Sequence, residues 1–167
     1  MNLKTEQEKK DYLENSNNRI YEQLSYAEAK NGVLIGLLGA AIIALINLAL
    51  EETLDWRISL ILYILSGVFM ISLIVSICSF FPNTKALTKK RNIYFWGDIA
   101  GLENAEEYKA WLEDESVNLE DQLAEQNIQV SRIIRRKHKM FSIALKIMLS
   151  GLIPPLVIFY LIKGLIK

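Results

Sequence analysis

The residues best equipped for chemistry in this 167-residue chain fall in three places. The first is the stretch Asn92-Ile93-Tyr94-Phe95-Trp96-Gly97-Asp98-Ile99-Ala100-Gly101. Its aromatics can pack a small core, lie at a lipid headgroup level or stack on a planar ligand. Gly97 allows a tight turn or a close backbone approach, and Asp98 can cap a helix or accept from a ligand hydroxyl or a basic neighbour. The second group is Glu28, Lys30 and Asn31, just before a long apolar run, and the third is the basic stretch containing Arg135, Arg136 and Lys137. Stacking rings, an acid and a Lys/Arg cluster are the parts a nucleotide sensor needs. They also match a collar that binds acidic lipids, and spacing alone favours the collar.

Other chemistries are poorly supplied. There is no Gly-rich phosphate loop, zincin pair, nucleophile elbow or kinase motif. Glu103, Glu106 and Glu107 read as partners of a helix dipole rather than as paired catalytic carboxylates. His138, inside Arg-Arg-Lys-His-Lys, reads as a solvated or headgroup-facing residue. One His and one Cys are too few for a structural zinc site, and Cys78 lies in an apolar run where it serves as a small hydrophobe. Zero net charge gives no bulk basicity for a nucleic-acid face. These observations predict a protein that is not an enzyme and carries no metal or cofactor of its own.

The elements that would position these residues are helical. In residues 1–32, Leu13, Ile20, Leu24 and Ala27 recur at steps of seven, four and three, the stripe of an amphipathic helix, and the polar opening carries no secretory signal. Nothing interrupts that helix before Gly32, so it can run on into Val33–Leu50, an uncharged run of about 27 Å when helical. Gly32, Gly36, Gly39, Ala40, Ala41 and Ala44 give this run a small-residue face, and Asn47 near its far end reads as an interhelical or interfacial hydrogen bonder. The short connection Glu51–Arg57 imposes an antiparallel hairpin with a second uncharged run, Ile58–Phe81, stopped by Pro82. Residues 82–139 are polar: a short helix capped by Asn104, then a longer one begun near Ser116 with a seam at Leu119, Leu123, Val130, Ile134 and Phe141. Met140–Ile162 reads as a third span, with Lys146 snorkelling and Pro154-Pro155 kinking or breaking it.

The expected architecture is thus an all-α membrane protein with three transmembrane helices: an amphipathic helix over 1–32, a transmembrane hairpin over 33–81, a helical region over 82–139, and a third span with tail over 140–167. Five Lys/Arg residues precede the first run and ten lie in 82–139, against one in 51–57. The positive-inside rule therefore places the N-terminus and 82–139 in the cytoplasm and the C-terminus outside.

The order of features resembles the transmembrane effectors of the Pycsar antiphage systems. The resemblance is carried by Ala27-Glu28-Ala29-Lys30 before the first span, Phe81-Pro82 after the second, Phe95-Trp96-Gly97-Asp98-Ile99-Ala100 in the polar segment, and Lys137 before the last span. It extends from about residue 20 to the C-terminus. The chain departs from the family pattern with Glu28 in place of Asp, Asn31 in place of a small apolar residue and Asn83 in place of Arg.

The resemblance implies a cytoplasmic region that senses a cyclic pyrimidine mononucleotide, cyclic CMP or cyclic UMP, made by a separate cyclase. Binding would drive a homo-oligomeric protein of the bacterial inner membrane to assemble or rearrange and impair that membrane, giving abortive infection. Its candidate ligand residues are Glu28, Lys30, Asn31, Phe95, Trp96, Asp98, Arg135, Arg136 and Lys137. The alternatives are a constitutive scaffold with a lipid-binding basic collar, and an effector of another nucleotide-signalling system of the SLATT kind.

Overall fold

The computed structural model describes residues 5–81, 91–114 and 118–165. Among them are five helices and no strand: α1 Glu6–Ala49, α2 Trp56–Cys78, α3 Trp96–Ile99, α4 Ala105–Glu113 and α5 Leu119–Leu165. The starts follow local chemistry. Thr5 and Glu8 exchange hydrogen bonds, each backbone N–H donating to the other's side chain at 3.2 Å, which closes a capping box at the head of α1. Asp55 accepts from the Arg57 N–H and Asn104 from the Glu107 N–H, both at 2.8 Å, so α2 and α4 are also side-chain capped.

α1 runs through Gly32, Gly36 and Gly39 without a break, as the lack of a stop before Gly32 allows. α5 likewise runs through Pro154-Pro155, so the expected break there does not occur. Where Ser116 was expected to cap α5, the helix begins at Leu119, and Asn118 accepts from the Glu120 and Asp121 N–H groups at 3.0 and 3.2 Å. Ser116, Pro82 and the lysines at 85, 89 and 90 lie outside the described residues.

Among the described residues two helices, α1 and α2, are long and apolar enough to cross a membrane, not the three expected. Met140–Ile162 is the C-terminal half of α5, which carries Lys146 and the proline pair within it. The outward faces of the two qualifying helices carry Val33, Leu37, Ile43, Ile64, Ile71 and Ile74, all more than half exposed. Such a surface is unfavourable in water and natural in lipid.

The chain divides into two compact units. The first comprises Met1–Tyr26 and Pro82–Arg135, and the second Ala27–Phe81 and Arg136–Lys167. Both α1 and α5 contribute to both. In the first unit the expected α5 seam is buried at Leu123 and Val130, with Ile93 beside them in the buried set and the α1 stripe (Leu13, Ile20, Leu24) half-buried. Leu119, at the head of the seam, is exposed.

The second unit is a three-helix bundle whose core is Leu34, Leu38 and Ile42 of α1, Leu65 and Phe69 of α2, and Ala144 of α5. Lys137 Nζ donates to the Ser79 carbonyl, and Ser72 Oγ donates to the Ala144 carbonyl at 2.7 Å. These two contacts are seven residues apart on each helix, about 10.5 Å, in opposite senses, so α2 runs antiparallel to α5. Gly151 lets the two helices close. A Cβ there would lie 2.4 Å from Val68 Cγ1, so only glycine fits without a shift.

Candidate functional site

The nine residues singled out from the sequence divide between the units. Phe95, Trp96, Asp98 and Arg135 belong to the first, and Glu28, Lys30, Asn31, Arg136 and Lys137 to the second.

In the first unit the aromatic stretch is organised by Asn92, which is 2% exposed. Its N–H donates to Asp98 Oδ2 at 2.7 Å, and its Oδ1 accepts from the Tyr94 N–H at 2.8 Å, an Asx turn. Its Nδ2 donates to the Gln122 carbonyl at 2.8 Å, while the Gln122 side-chain oxygen accepts from the Ile93 N–H at 2.7 Å. The turn is thereby stitched to the first turn of α5. Asp98 closes it from within α3 and caps no helix, since the N-cap of α3 is Phe95, without a side-chain bond. The Asp98 carboxylate thus keeps its second oxygen for other partners. Gly97 lets the Phe95 ring lie close, since a Cβ there would meet Phe95 Cε1 at 2.6 Å and the ring would have to move aside. The Phe95 and Trp96 rings lie tilted at 49° with centroids 5.8 Å apart, and Trp96 is two-thirds exposed. Asn92 opens the stretch singled out from the sequence but was given no role there, and Gln122 was not singled out at all. The only local sign was an Asn two residues before an aromatic, and the Gln122 bonds span about thirty residues.

Burial raises the Tyr94 phenol above the ordinary 10.0, and the negative charge of Glu14 and then Tyr108 add to that. Tyr94 borders a cavity of about 400 Å³ lined by Glu6, Lys10, Asn118, Leu119, Glu120 and Leu123. Two further cavities flank the α1–α5 packing. One, about 270 Å³, is lined by Ser16, Arg19, Ile20, Gln23, Ser131 and Ile134. The other, about 350 Å³, is lined by Ile20, Asn127, Ile128, Ser131, Arg132 and Arg135. Asn127 Nδ2 donates to the Leu13 carbonyl at 3.2 Å, but its buried Oδ1 has no hydrogen-bond partner.

In the second unit Glu28 and Lys137 meet at 3.1 Å. Lys137 is 8% exposed, donates also to the Ser79 carbonyl at 3.3 Å and lies 5.0 Å over the Phe80 ring. Lys30 lies 4.2 Å over the Phe141 ring. Asn31, three residues beyond Glu28, is fully buried with both side-chain polar atoms unpartnered, and the hydroxyls of Ser76 and Ser79 are likewise orphaned. Since Glu28, Ser79 and Lys137 mark one level of the bundle, Asn31 and Ser76 share the next, about 4.5 Å further in. Arg136 is exposed. The pair Glu28–Lys137 brings together two candidates from different helices.

A family model described as the Pycsar effector protein domain matches residues 12–164. The chain belongs to that family. No curated protein and no solved structure matches it. As a Pycsar effector it is a membrane protein of an antiviral, antiphage defence family. The match takes in both units, including the Asn92–Asp98 clasp and the Glu28–Lys137 pair.

Proposed function

We propose that this Pycsar effector resides in a bacterial inner membrane and is switched by a cyclic pyrimidine mononucleotide made by a separate cyclase. The observation that carries the reading is the family match over residues 12–164 on a chain with two membrane-length helices. The positive-inside rule puts the N-terminus and residues 82–139 in the cytoplasm, where such a ligand would reach the first unit. The protein acts without catalysis or a cofactor of its own. The ligand must bind the active arrangement more tightly than the resting one, since equal affinity shifts nothing.

The active arrangement is a homo-oligomer or rearranged bundle that impairs membrane integrity and halts growth before phage release. Support for self-association comes from α1, where Gly32 and Gly36 are exposed with open space at the position of a Cβ, and Ala40 and Ala44 continue the exposed small face. Faces of this kind let helix backbones approach closely in lipid.

The test is co-expression with a cyclic-CMP or cyclic-UMP cyclase while membrane potential and growth are followed. Depolarisation and arrest only when both proteins are active support the proposal. Intact potential with the nucleotide demonstrably present sinks it, and control of assembly by anionic lipid content instead would favour the lipid-collared scaffold.

A further inference from the structure

Building on the nucleotide-switched reading, we propose that the ligand binds in the groove between α1 and α5 of the first unit. There Arg132 and Arg135 take the phosphate and Asn127 reads the base.

The sign of the lining charge sets the cavity beside Tyr94 apart from the two along α1 and α5, of which the smaller carries Arg19 alone. The cavity beside Tyr94 is lined by Glu6 and Glu120 against Lys10, a net negative wall that repels a phosphate. The α1–α5 groove of about 350 Å³ is lined by two arginines and no acid. Its volume lies in the range of small-molecule sites. Arg132 and Arg135 are three residues apart on α5, hence on one side of the helix, and both are exposed with guanidinium forks that suit a phosphate bidentately.

Asn127 supplies a second, independent sign of a ligand. It is 7% exposed, its amide N–H₂ is engaged by Leu13, and its buried carbonyl oxygen has no donor. A buried acceptor of this kind is rarely left unmade in a native protein. A turn of the Asn127 side chain toward the groove would offer this oxygen to the exocyclic amine of cytosine or the ring N–H of uracil. From Asn127 to Arg132 the helix rises about 7.5 Å, the scale of one nucleotide rather than of a cyclic oligonucleotide. Ile20 and the half-exposed Ile128 offer apolar surface to the ring face, and Ser131 stands one helical turn from both Asn127 and Arg135. Of the residues singled out from the sequence, Arg135 alone lines this groove.

The experiment is isothermal titration of the detergent-solubilised full chain with cyclic CMP, cyclic UMP, cyclic AMP and a cyclic dinucleotide. Arg132→Gln/Arg135→Gln and Asn127→Leu are compared with the parent, and unliganded melting checks that the arginine variant is folded. The expected result is binding of a cyclic pyrimidine nucleotide by the parent. The arginine pair should weaken it about a hundredfold at an unchanged unliganded midpoint, and Asn127→Leu about tenfold. Parent-like binding by the arginine variant would overturn the site while leaving the nucleotide-switched reading standing. Binding of the dinucleotide alone would overturn the ligand class. No nucleotide binding by the parent would overturn both site and reading. Loss of flotation with phosphatidylglycerol vesicles in the arginine variant would then give the groove to lipid.

Discussion

Asn92 and Asn31 are the most deeply buried asparagines among the described residues, one in each unit, and their surroundings treat them in opposite ways. Asn92, in the first unit, has its side-chain oxygen and nitrogen both satisfied and its backbone N–H held by Asp98. Asn31, in the second, has neither side-chain atom partnered, and Ser76 and Ser79 add two orphaned hydroxyls nearby. The first unit thus uses a buried amide to fix one loop geometry. Around Asn31 the second carries a polar layer whose side-chain groups have no protein partner in this packing.

The largest test of that contrast is Asn92→Leu. It strands the Tyr94 N–H and the Gln122 carbonyl, so chemical denaturation should show a loss of about 3 kcal/mol. Amide exchange at Ile93 and Phe95 should quicken while the second unit's core stays protected. Equal loosening of both units would break the contrast. Asn31→Leu should have the opposite sign, a gain of about 2 kcal/mol, because it removes an unpaired buried amide at similar volume. A lowered melting midpoint for this variant would mean that Asn31 is satisfied and that the units are alike. Gly151→Val should cost about 1–2 kcal/mol by forcing α5 off Val68, with no effect on the Asn92 turn as read by the Ile93 amide.

The smallest effect concerns pH. The Tyr94 pKa is raised in the folded state, so its contribution is fully present below the unfolded value of 10.0 and is lost as pH rises through the higher folded value. Thermal midpoints of Tyr94→Phe and the parent should therefore diverge less in alkali, the parent falling further above pH 10.0. Parallel curves would show that Tyr94 titrates freely.

The long helices were legible because their signal is local. Leu13, Ile20, Leu24 and Ala27 form one stripe, and no proline or cap interrupts α1 before its end. Asn104 likewise announced α4, and the family followed from motif order. The third span was counted from an apolar run that, in the structure, is the end of a helix begun at Leu119 in the polar segment. The role of Asp98 could not be read, since it depends on the backbone of Asn92 folding back on it, and Gln122 reaches the same turn from thirty residues away. Asn127 was invisible for a similar reason. An amide in a helix seam looks like any polar filler until one of its atoms is seen to lack a partner.

The unbroken run of α1 also constrains how this chain can change in length. Its inward positions pass from Ile20, Leu24 and Ala27 to Asn31, Leu34, Leu38 and Ile42 in steps of three and four, without a phase change where one unit gives way to the other. One residue inserted there would turn everything beyond it by about 100° and present the wrong face to one of the two cores. A seven-residue insertion would nearly restore the phase. Natural length variation in this helix should accordingly come in whole heptads, or be matched by a compensating change in α5.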